Sequence, residues 1–324
     1  MVDVTQLKVA LLCGGWSDER EVSLASGREC AEAMAQAGFS NVDLLDVAAP
    51  AFVHTIAGGG YDVAFVALHG RYGEDGCVQG FLELLGIPYT FSGVLASAVA
   101  SDKAMAKDVY REHGIPTPAD VLLYKGDPLE TDVVIEALGL PLFVKPVSNG
   151  SSYGISRVER ADQLPQAVEH AFAYGSRVLV EKAVSGVEIT VPVLGNDHPD
   201  ALPAVEIRYD SAFYDLDAKY EDPAKHHVIP PELPASTVTR AQELACRAHV
   251  ALECSGASRS DFIVDVAGTP YMLETNVVPG MTSSSLMPDA ARRAGMGFSE
   301  LCRRLVELAV ERGSRVGTSG GTAC

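Results

Sequence analysis

At 324 residues the chain has room for about two or three domains of roughly 100–200 residues each. Hydrophobic residues make up 47% and charged residues 21%, which describes a globular rather than a disordered chain. A formal charge of −18 argues against a general nucleic-acid binder, which needs clustered Lys and Arg, and against attachment to an anionic membrane surface.

In chain order, residues 8–13 read as a buried strand running into Gly14-Gly15. A helix follows from about Ser23, with Leu24, Ala31 and Met34 near helical spacing. Residues 63–68 form a second apolar strand that stops at His69-Gly70. Strand, helix and strand in that order point to a parallel α/β layer, whose ligands bind beyond the C-terminal strand ends. Both glycine turns lie at such ends, and Asp18, Glu19 and Glu21 lie at the same rim. Ser101-Asp102-Lys103 opens another helix, which ends at Gly114 ahead of Pro116 and Pro118.

Strands at 141–145 and 177–182 then flank a helix at 161–173. A third region brings strands at 188–194 and 201–208, a polar loop at 209–225 and a helix at 236–252. Ser299 is the expected cap of a last amphipathic helix carrying Leu301, Leu305 and Leu308. The Gly/Ser-rich end from Gly313 is expected to be disordered. The expected division is 1–100, 101–188, 189–312 and a tail at 313–324. No run is apolar for long enough to cross a bilayer, and no signal-peptide pattern opens the chain. The seven cysteines form no CxxC pair, so free thiols in a cytoplasmic setting are expected.

The segment from Arg259 to Leu286 is the most informative. It reads as two short strands joined at Ala267-Gly268, with Val266 facing Thr269. The same register sets Asp261 opposite Glu274, with Cβ atoms about 5 Å apart. Asn276 and Arg259 share that face. Two carboxylates and an amide oxygen on one point suit a hard divalent cation, and Arg259 can reach a phosphate that the cation holds. The following Pro279-Gly280-Met-Thr-Ser-Ser-Ser285 is rich in small donors.

Two weaker signals accompany it. Residues 141–145 form a strand ending in Lys145, followed by a Gly/Ser loop with Ser151 and Ser152. The lysine precedes the glycines, so this is not a P-loop, yet the loop can fold over phosphates. Beyond residues 177–182, the backbone of Glu181-Lys182-Ala183-Val184 can bond an adenine edge and Glu188 can take ribose hydroxyls. As ordinary features these would be a plain connection and a solvated strand residue.

Taken together, GGWSDEREVSL, ALHGRYGEDGCVQGFLELLGIPYTFSGVLAS, the first lysine of SDKAMAK, VKPVSNGSSYGIS, VEKAVSGVEITV, FYDLDAKY, SRSDF and LETNVVPGMTSSSL resemble the D-alanine–D-alanine ligases of the ATP-grasp superfamily, from about residue 8 to 311. The resemblance implies an ATP-grasp fold: an N-terminal parallel α/β domain and two α+β lobes enclosing ATP. It implies ATP as a substrate, two Mg²⁺ ions with Mn²⁺ as a substitute, and a homodimer.

It also implies roles. Glu19 holds the first D-alanine's ammonium, and Ser151 and Tyr220 link it to the loop at 209–225. Lys103 and Lys145 bind the α- and β-phosphates, and Lys219 lies near the transferring phosphoryl. Ser152, Glu181, Lys182, Val184 and Glu188 belong to the nucleotide site. Asp261, Glu274 and Asn276 bind metal. Arg259 and the Gly280 N–H stabilise the tetrahedral intermediate, while Ser285 and the Leu286 N–H hold the second substrate's carboxylate. His69 lies near the second D-alanine, as a base or a positioning group. His226-His227 read as solvated.

Ala218-Lys219-Tyr220 keeps the dipeptide-type loop pattern, so D-alanyl-D-alanine is the expected product. The alternatives are a D-Ala–D-lactate or other amide- or ester-forming ATP-grasp ligase, and a non-catalytic nucleotide-binding regulator on the same fold. The turn at Gly14-Gly15 is not GxGxxG, which counts against a dinucleotide-binding oxidoreductase. Ala183, Leu216, Tyr153 and Val277-Val278 depart from the usual family residues.

Overall fold

The structure is a computed structural model that describes residues 3–148, 153–208 and 226–319, with 314–319 described by their backbone alone. Val9–Cys13 (β1) is buried along its whole length because it lies between Val42–Asp46 (β2) and Val63–Val66 (β3) in a parallel sheet. Apolar runs in β1 and β3 made them legible. β2 carries Asp43 and Asp46 and is only half-buried, so no apolar run marks it. Arg20–Gln36 (α1), Phe52–Gly58 (α2), Cys77–Leu84 (α3) and Val94–Ala100 (α4) accompany this sheet. α1 begins three residues before Ser23, whose hydroxyl is buried and donates to the Ala67 carbonyl at 2.6 Å.

Lys103–Glu112 (α5) follows. Asp102 caps it by accepting the Met105 N–H at 3.1 Å. Next comes an antiparallel sheet of Asp120–Tyr124 (β4), Leu142–Pro146 (β5), Ser156–Val158 (β6) and Arg177–Lys182 (β7), in the order β4-β7-β5-β6. Thr131–Leu138 (α6) and Leu164–Phe172 (α7) pack on it. The last region is a second antiparallel sheet of Gly186–Leu194 (β8), Asp200–Ala201 (β9), Val205–Ile207 (β10), His227–Val228 (β11), Ala257–Asp265 (β12) and Pro270–Asn276 (β13). Its order is β11-β10-β8-β12-β13, with β9 beside β8. Ala235–Ala251 (α8), Leu286–Arg293 (α9) and Phe298–Ser319 (α10) complete the chain.

Two expectations at the C-terminus are corrected. Ser299 lies inside the first turn of α10 rather than capping it, and its hydroxyl donates to Gln36 Oε1 at 3.0 Å. The helix also continues past Gly313 to Ser319, because Leu301, Leu305 and Leu308 anchor three turns from which it propagates. Residues 320–324 lie outside the described residues.

The apolar interior divides unevenly. One large core joins the parallel sheet to the β8–β13 sheet through α1, α5, α8 and α10. The β4–β7 sheet has its own small core of Leu142, Val144, Val158, Val178 and Val180 under α6 and α7. Among the described residues no helix is long and apolar enough to cross a membrane.

His249 of α8 is fully buried, with Nδ1 2.7 Å from the Ser258 hydroxyl on β12. Burial pushes its pKa from the ordinary 6.5 down to about 4. The unfolded chain therefore takes up this proton first. The fold keeps the contribution above pH 6.5 and loses it as pH falls towards 4, by about 3 kcal/mol at the end of that window. Urea unfolding followed from pH 7 to 4 should show a declining midpoint. The decline should be shallower in His249→Gln, and an equal slope in both proteins would rule out this histidine as its source.

Candidate active site

The site face is built on β12 and β13. Arg259 pairs with Asn276, Ser260 with Thr275 and Asp261 with Glu274. This is the expected pairing, reached by a different route. The hairpin loop has three residues, 266–268, rather than two: Asp265 pairs with Thr269, and Gly268, at φ +84°, donates its N–H to the Asp265 carbonyl. The Asp265 carboxylate accepts the Ala267 and Thr269 N–H groups at 3.0 and 2.8 Å. That loop alone would set Asp261 against Leu273. A β-bulge between the 261 and 262 positions absorbs the extra residue and restores Glu274.

The bulge also reverses the phase of β13. Pro270 and Met272 point into the core, so Glu274 would follow them inward in a regular strand. After the bulge Thr275 is buried instead, bonded to Tyr110 and Ser260, and Glu274 and Asn276 turn to the site.

Asp261 is nearly buried and heavily contacted. Arg259 donates to both its oxygens at 3.1 and 3.0 Å, Asn276 Nδ2 donates at 3.0 Å and the Thr190 hydroxyl at 2.5 Å. Lys103, at the start of α5, lies 2.9 Å from Glu274. Burial alone would depress the Lys103 ammonium, but Glu274 outweighs it and holds it above the usual lysine range.

The oxygen atoms of Asp261, Glu274 and Asn276 fit a Mg²⁺-type ion, which needs only one or two carboxylates beside substrate phosphates. Two carboxylates directly opposed across a ladder are a like-charge conflict that such an ion would relieve. No group of three or more His, Cys, Asp or Glu suited to a metal occurs among the described residues.

A second charged cluster lies where α5 meets the β4–β7 sheet. Glu181, at 3% exposure, bonds Lys145 with one carboxylate oxygen and Lys107 with the other. Burial would raise the Glu181 carboxyl, yet Lys145 and Lys107 together hold it below the usual range. Lys107 escaped sequence reasoning. Its partners lie far along the chain, and its one visible signal is the i,i+4 spacing from Lys103. Lys182 ends β7 exposed, Ala183 and Val184 form the connection to β8, and Glu188 stands opposite Ile263.

At the parallel sheet, Glu19 occupies the residue before α1 but makes no capping bond with its side chain. A β-carbon on Gly70 would lie 2.8 Å from Glu19 Oε2, so Gly70, at φ +69°, is what lets the carboxylate reach the strand ends. His69 is buried, with Nε2 3.2 Å from the Ser26 hydroxyl and Nδ1 3.5 Å from Glu74. Burial holds the Glu74 carboxyl above its usual range, against the pull of His69. Glu74 is a further residue that pattern reading passed over, and its signal was its place in the turn after His69.

Ser285 stands at the N-cap of α9, and its hydroxyl accepts the Thr282 N–H at 3.1 Å. A β-carbon on Gly280 would lie 3.0 Å from Ser285 Oγ, so a side chain there would crowd the Ser285 hydroxyl. Leu286 opens α9, whose first-turn N–H groups have no partner within the helix and suit an anion. Val277 and Val278 are buried, and that packing accounts for their apolar character.

His226 and His227 are not solvated as expected. His226 Nδ1 lies 2.7 Å from the Arg208 carbonyl beside the β10–β11 pairing, and His227 Nδ1 lies 3.2 Å from Asp289 on α9. Ser151, Ser152, Leu216, Ala218, Lys219 and Tyr220, with the loop 209–225, lie outside the described residues.

Comparison with known proteins gives a consistent result. A family model described as D-ala D-ala ligase C-terminus matches residues 109–307, and one described as D-ala D-ala ligase N-terminus matches residues 47–92. The D-alanine--D-alanine ligase of Desulforamulus reducens is 44% identical over 312 residues, covering 94% of this chain and 99% of that protein. That of Desulforudis audaxviator is 46% identical over 309 residues, covering 94% and 99%. The crystal structure of the Bacillus anthracis D-alanine--D-alanine ligase complexed with ATP superposes with a TM-score of 0.83 at 33% identity, covering 96% of this chain and 100% of that one.

The phase reversal in β13 can be tested by length. Deleting Leu273 should leave Glu274 facing Asp261 in a regular ladder, with stability within about 2 kcal/mol of the parent. Inserting one alanine after Leu273, with the one-residue bulge kept, should set Glu274 against the buried Ser260, turn it inward and weaken Mn²⁺ binding, read by EPR titration, about 10–100-fold. Equal Mn²⁺ affinity in the two variants would show that strand phase does not set the site.

Proposed function

The chain belongs to the D-alanine–D-alanine ligase family, and on that premise we propose that it joins two D-alanines into D-alanyl-D-alanine at the cost of one ATP. The observation that carries this reading is the meeting of Asp261 and Glu274 with Arg259 and Lys103 on one face of the β12–β13 hairpin. Phosphoryl transfer needs little beyond positioning and neutralisation of charge, and this face concentrates both.

In the proposed sequence the first D-alanine's carboxylate attacks the γ-phosphate of ATP, giving an acyl phosphate and ADP. The second D-alanine's amine, once deprotonated, attacks the acyl carbon, and phosphate leaves. Glu19 would hold the first ammonium. Lys103 and Lys145 would bind the α- and β-phosphates, and Lys219 the transferring group. The adenine edge would meet the backbone around Lys182 and Val184, with Glu188 on the ribose. Ser151, Ser152 and Tyr220 would close the loops over the site and exclude water from the acyl phosphate.

Asp261, Glu274 and Asn276 would hold Mg²⁺, which supplies neutralisation of the phosphate oxygens. Arg259 and the Gly280 N–H would stabilise the oxyanion of the tetrahedral intermediate. Ser285 and the Leu286 N–H would hold the second carboxylate, with His69 positioned by Ser26 and Glu74 beside the incoming amine. An ATP-consuming reaction of this kind fits a cytoplasmic setting and the supply of peptidoglycan precursors. A pair of chains associating through the N-terminal region fits the exposed Trp16, Val53 and Tyr72 around an apolar cavity of about 440 Å³.

The test is phosphate release from Mg-ATP with D-alanine, using L-alanine and D-lactate as controls and identifying the product by mass. Release should require D-alanine and yield the dipeptide. Arg259→Ala should lower kcat about 100–1,000-fold. A product joining D-alanine to D-lactate would replace the second substrate. No release with any D-amino or D-hydroxy acid would sink the ligase reading.

A further inference from the structure

Lys107 has no role in the reaction as set out above, and its surroundings are unusual. It sits one turn after Lys103 on α5 and is fully buried. Its ammonium lies 2.8 Å from the Pro118 carbonyl and 3.1 Å from Asp120, and it bonds Glu181. Three acceptors exhaust the three N–H donors of an ammonium, so the seat is made for the charged form. Charges alternate from the site outward: Lys145, Glu181, Lys107, Asp120 and, at the surface, Arg111.

Stability does not account for this chain of charges. Replacing a buried ion pair by apolar groups of similar volume is often neutral or stabilising, whereas removing one partner is costly. The chain does, however, fix where the charge of Lys145 sits. With Lys107 in place, Glu181 divides its two oxygens between two lysines. Without Lys107, Glu181 would face Lys145 alone. It would then either draw the Lys145 ammonium fully onto itself, away from where a phosphate would meet it, or take up a proton and leave that ammonium without the ion pair that holds it in place.

We infer that Lys107 is a positioning residue for the nucleotide: it anchors Glu181, and through Glu181 it sets the place of the Lys145 ammonium. The inference rests on the assignment of Lys145 to ATP.

The experiment measures Mg-ATP affinity of the full chain by calorimetry, with KM for ATP and for D-alanine, in Lys107→Met, Lys107→Met/Asp120→Leu and Lys145→Ala. Lys107→Met should bind ATP at least about tenfold more weakly, the worth of one charge-assisted hydrogen bond, while KM for D-alanine stays within about twofold. The double variant removes the buried charges as a pair. It should recover thermal stability and still bind ATP weakly, a separation that a merely structural role would not produce. Should Lys107→Met fail to fold, the double variant decides alone.

ATP affinity within about twofold of the parent in the double variant, alongside a clear loss in Lys145→Ala, would overturn the positioning role and leave the nucleotide reading intact. Full ATP affinity in Lys145→Ala would overturn both.

Discussion

Two carboxylates facing each other across neighbouring strands are the constraint around which this molecule is organised. Asp261 and Glu274 sit in directly opposed ladder positions, and Asp261 is nearly buried. Such a pair is unfavourable unless positive charge or donors surround it. The fold supplies them from four directions. Arg259 comes from the same strand, Asn276 from the next, Thr190 from β8 on the other side and Lys103 from α5. Each of these contacts makes the pair tolerable, and two of them, from Arg259 and Lys103, place cations where the proposed reaction needs them.

α5 carries the constraint from one half of the molecule to the other. Ala106 and Tyr110 belong to the large core, and Tyr110 donates to Thr275 on β13 at 2.9 Å. On its other side Ala104 packs with Val147 and Leu179, and Lys107 reaches Glu181 on β7. The helix thus fastens the separately packed β4–β7 sheet to the hairpin. Lys103 and Lys107, four residues apart, face the two sheets in turn, one pairing with Glu274 and the other with Glu181. A helix of ten residues can do this because its first turn is capped by Asp102, which also pairs with Arg177 of the small sheet.

How much of this could be read from the amino-acid order depended on the range of the interactions. Fully apolar β1 and β3 announced a parallel layer, and two short apolar strands about Ala267-Gly268 announced the hairpin. The correct pairing nevertheless came from a two-residue turn that does not exist. The cues for the real one were local: an Asp at 265 three residues before Gly268, and the consecutive apolar Met272-Leu273 that breaks the alternation. β2 stayed hidden because Asp43 and Asp46 interrupt it. Lys107 and Glu74 stayed hidden for a different reason. Their meaning lies in burial and in partners brought together only by tertiary packing, and a lysine in a helix or a glutamate in a turn looks ordinary until those partners are known.

Lys103, Lys145 and Arg259, each paired with a carboxylate, sit in a chain of formal charge −18. Within about one Debye length of its surface, about 8 Å at physiological ionic strength, the molecule acts as an anion. It would repel a nucleotide before binding one, and the attraction proposed for Lys103, Lys145 and Arg259 would be felt only near the cleft. A free nucleoside triphosphate meets the full barrier, a magnesium-chelated one about half of it, and a zwitterionic amino acid almost none. Diffusional encounter therefore already sorts the reactants, favouring the chelated nucleotide before any side chain touches it.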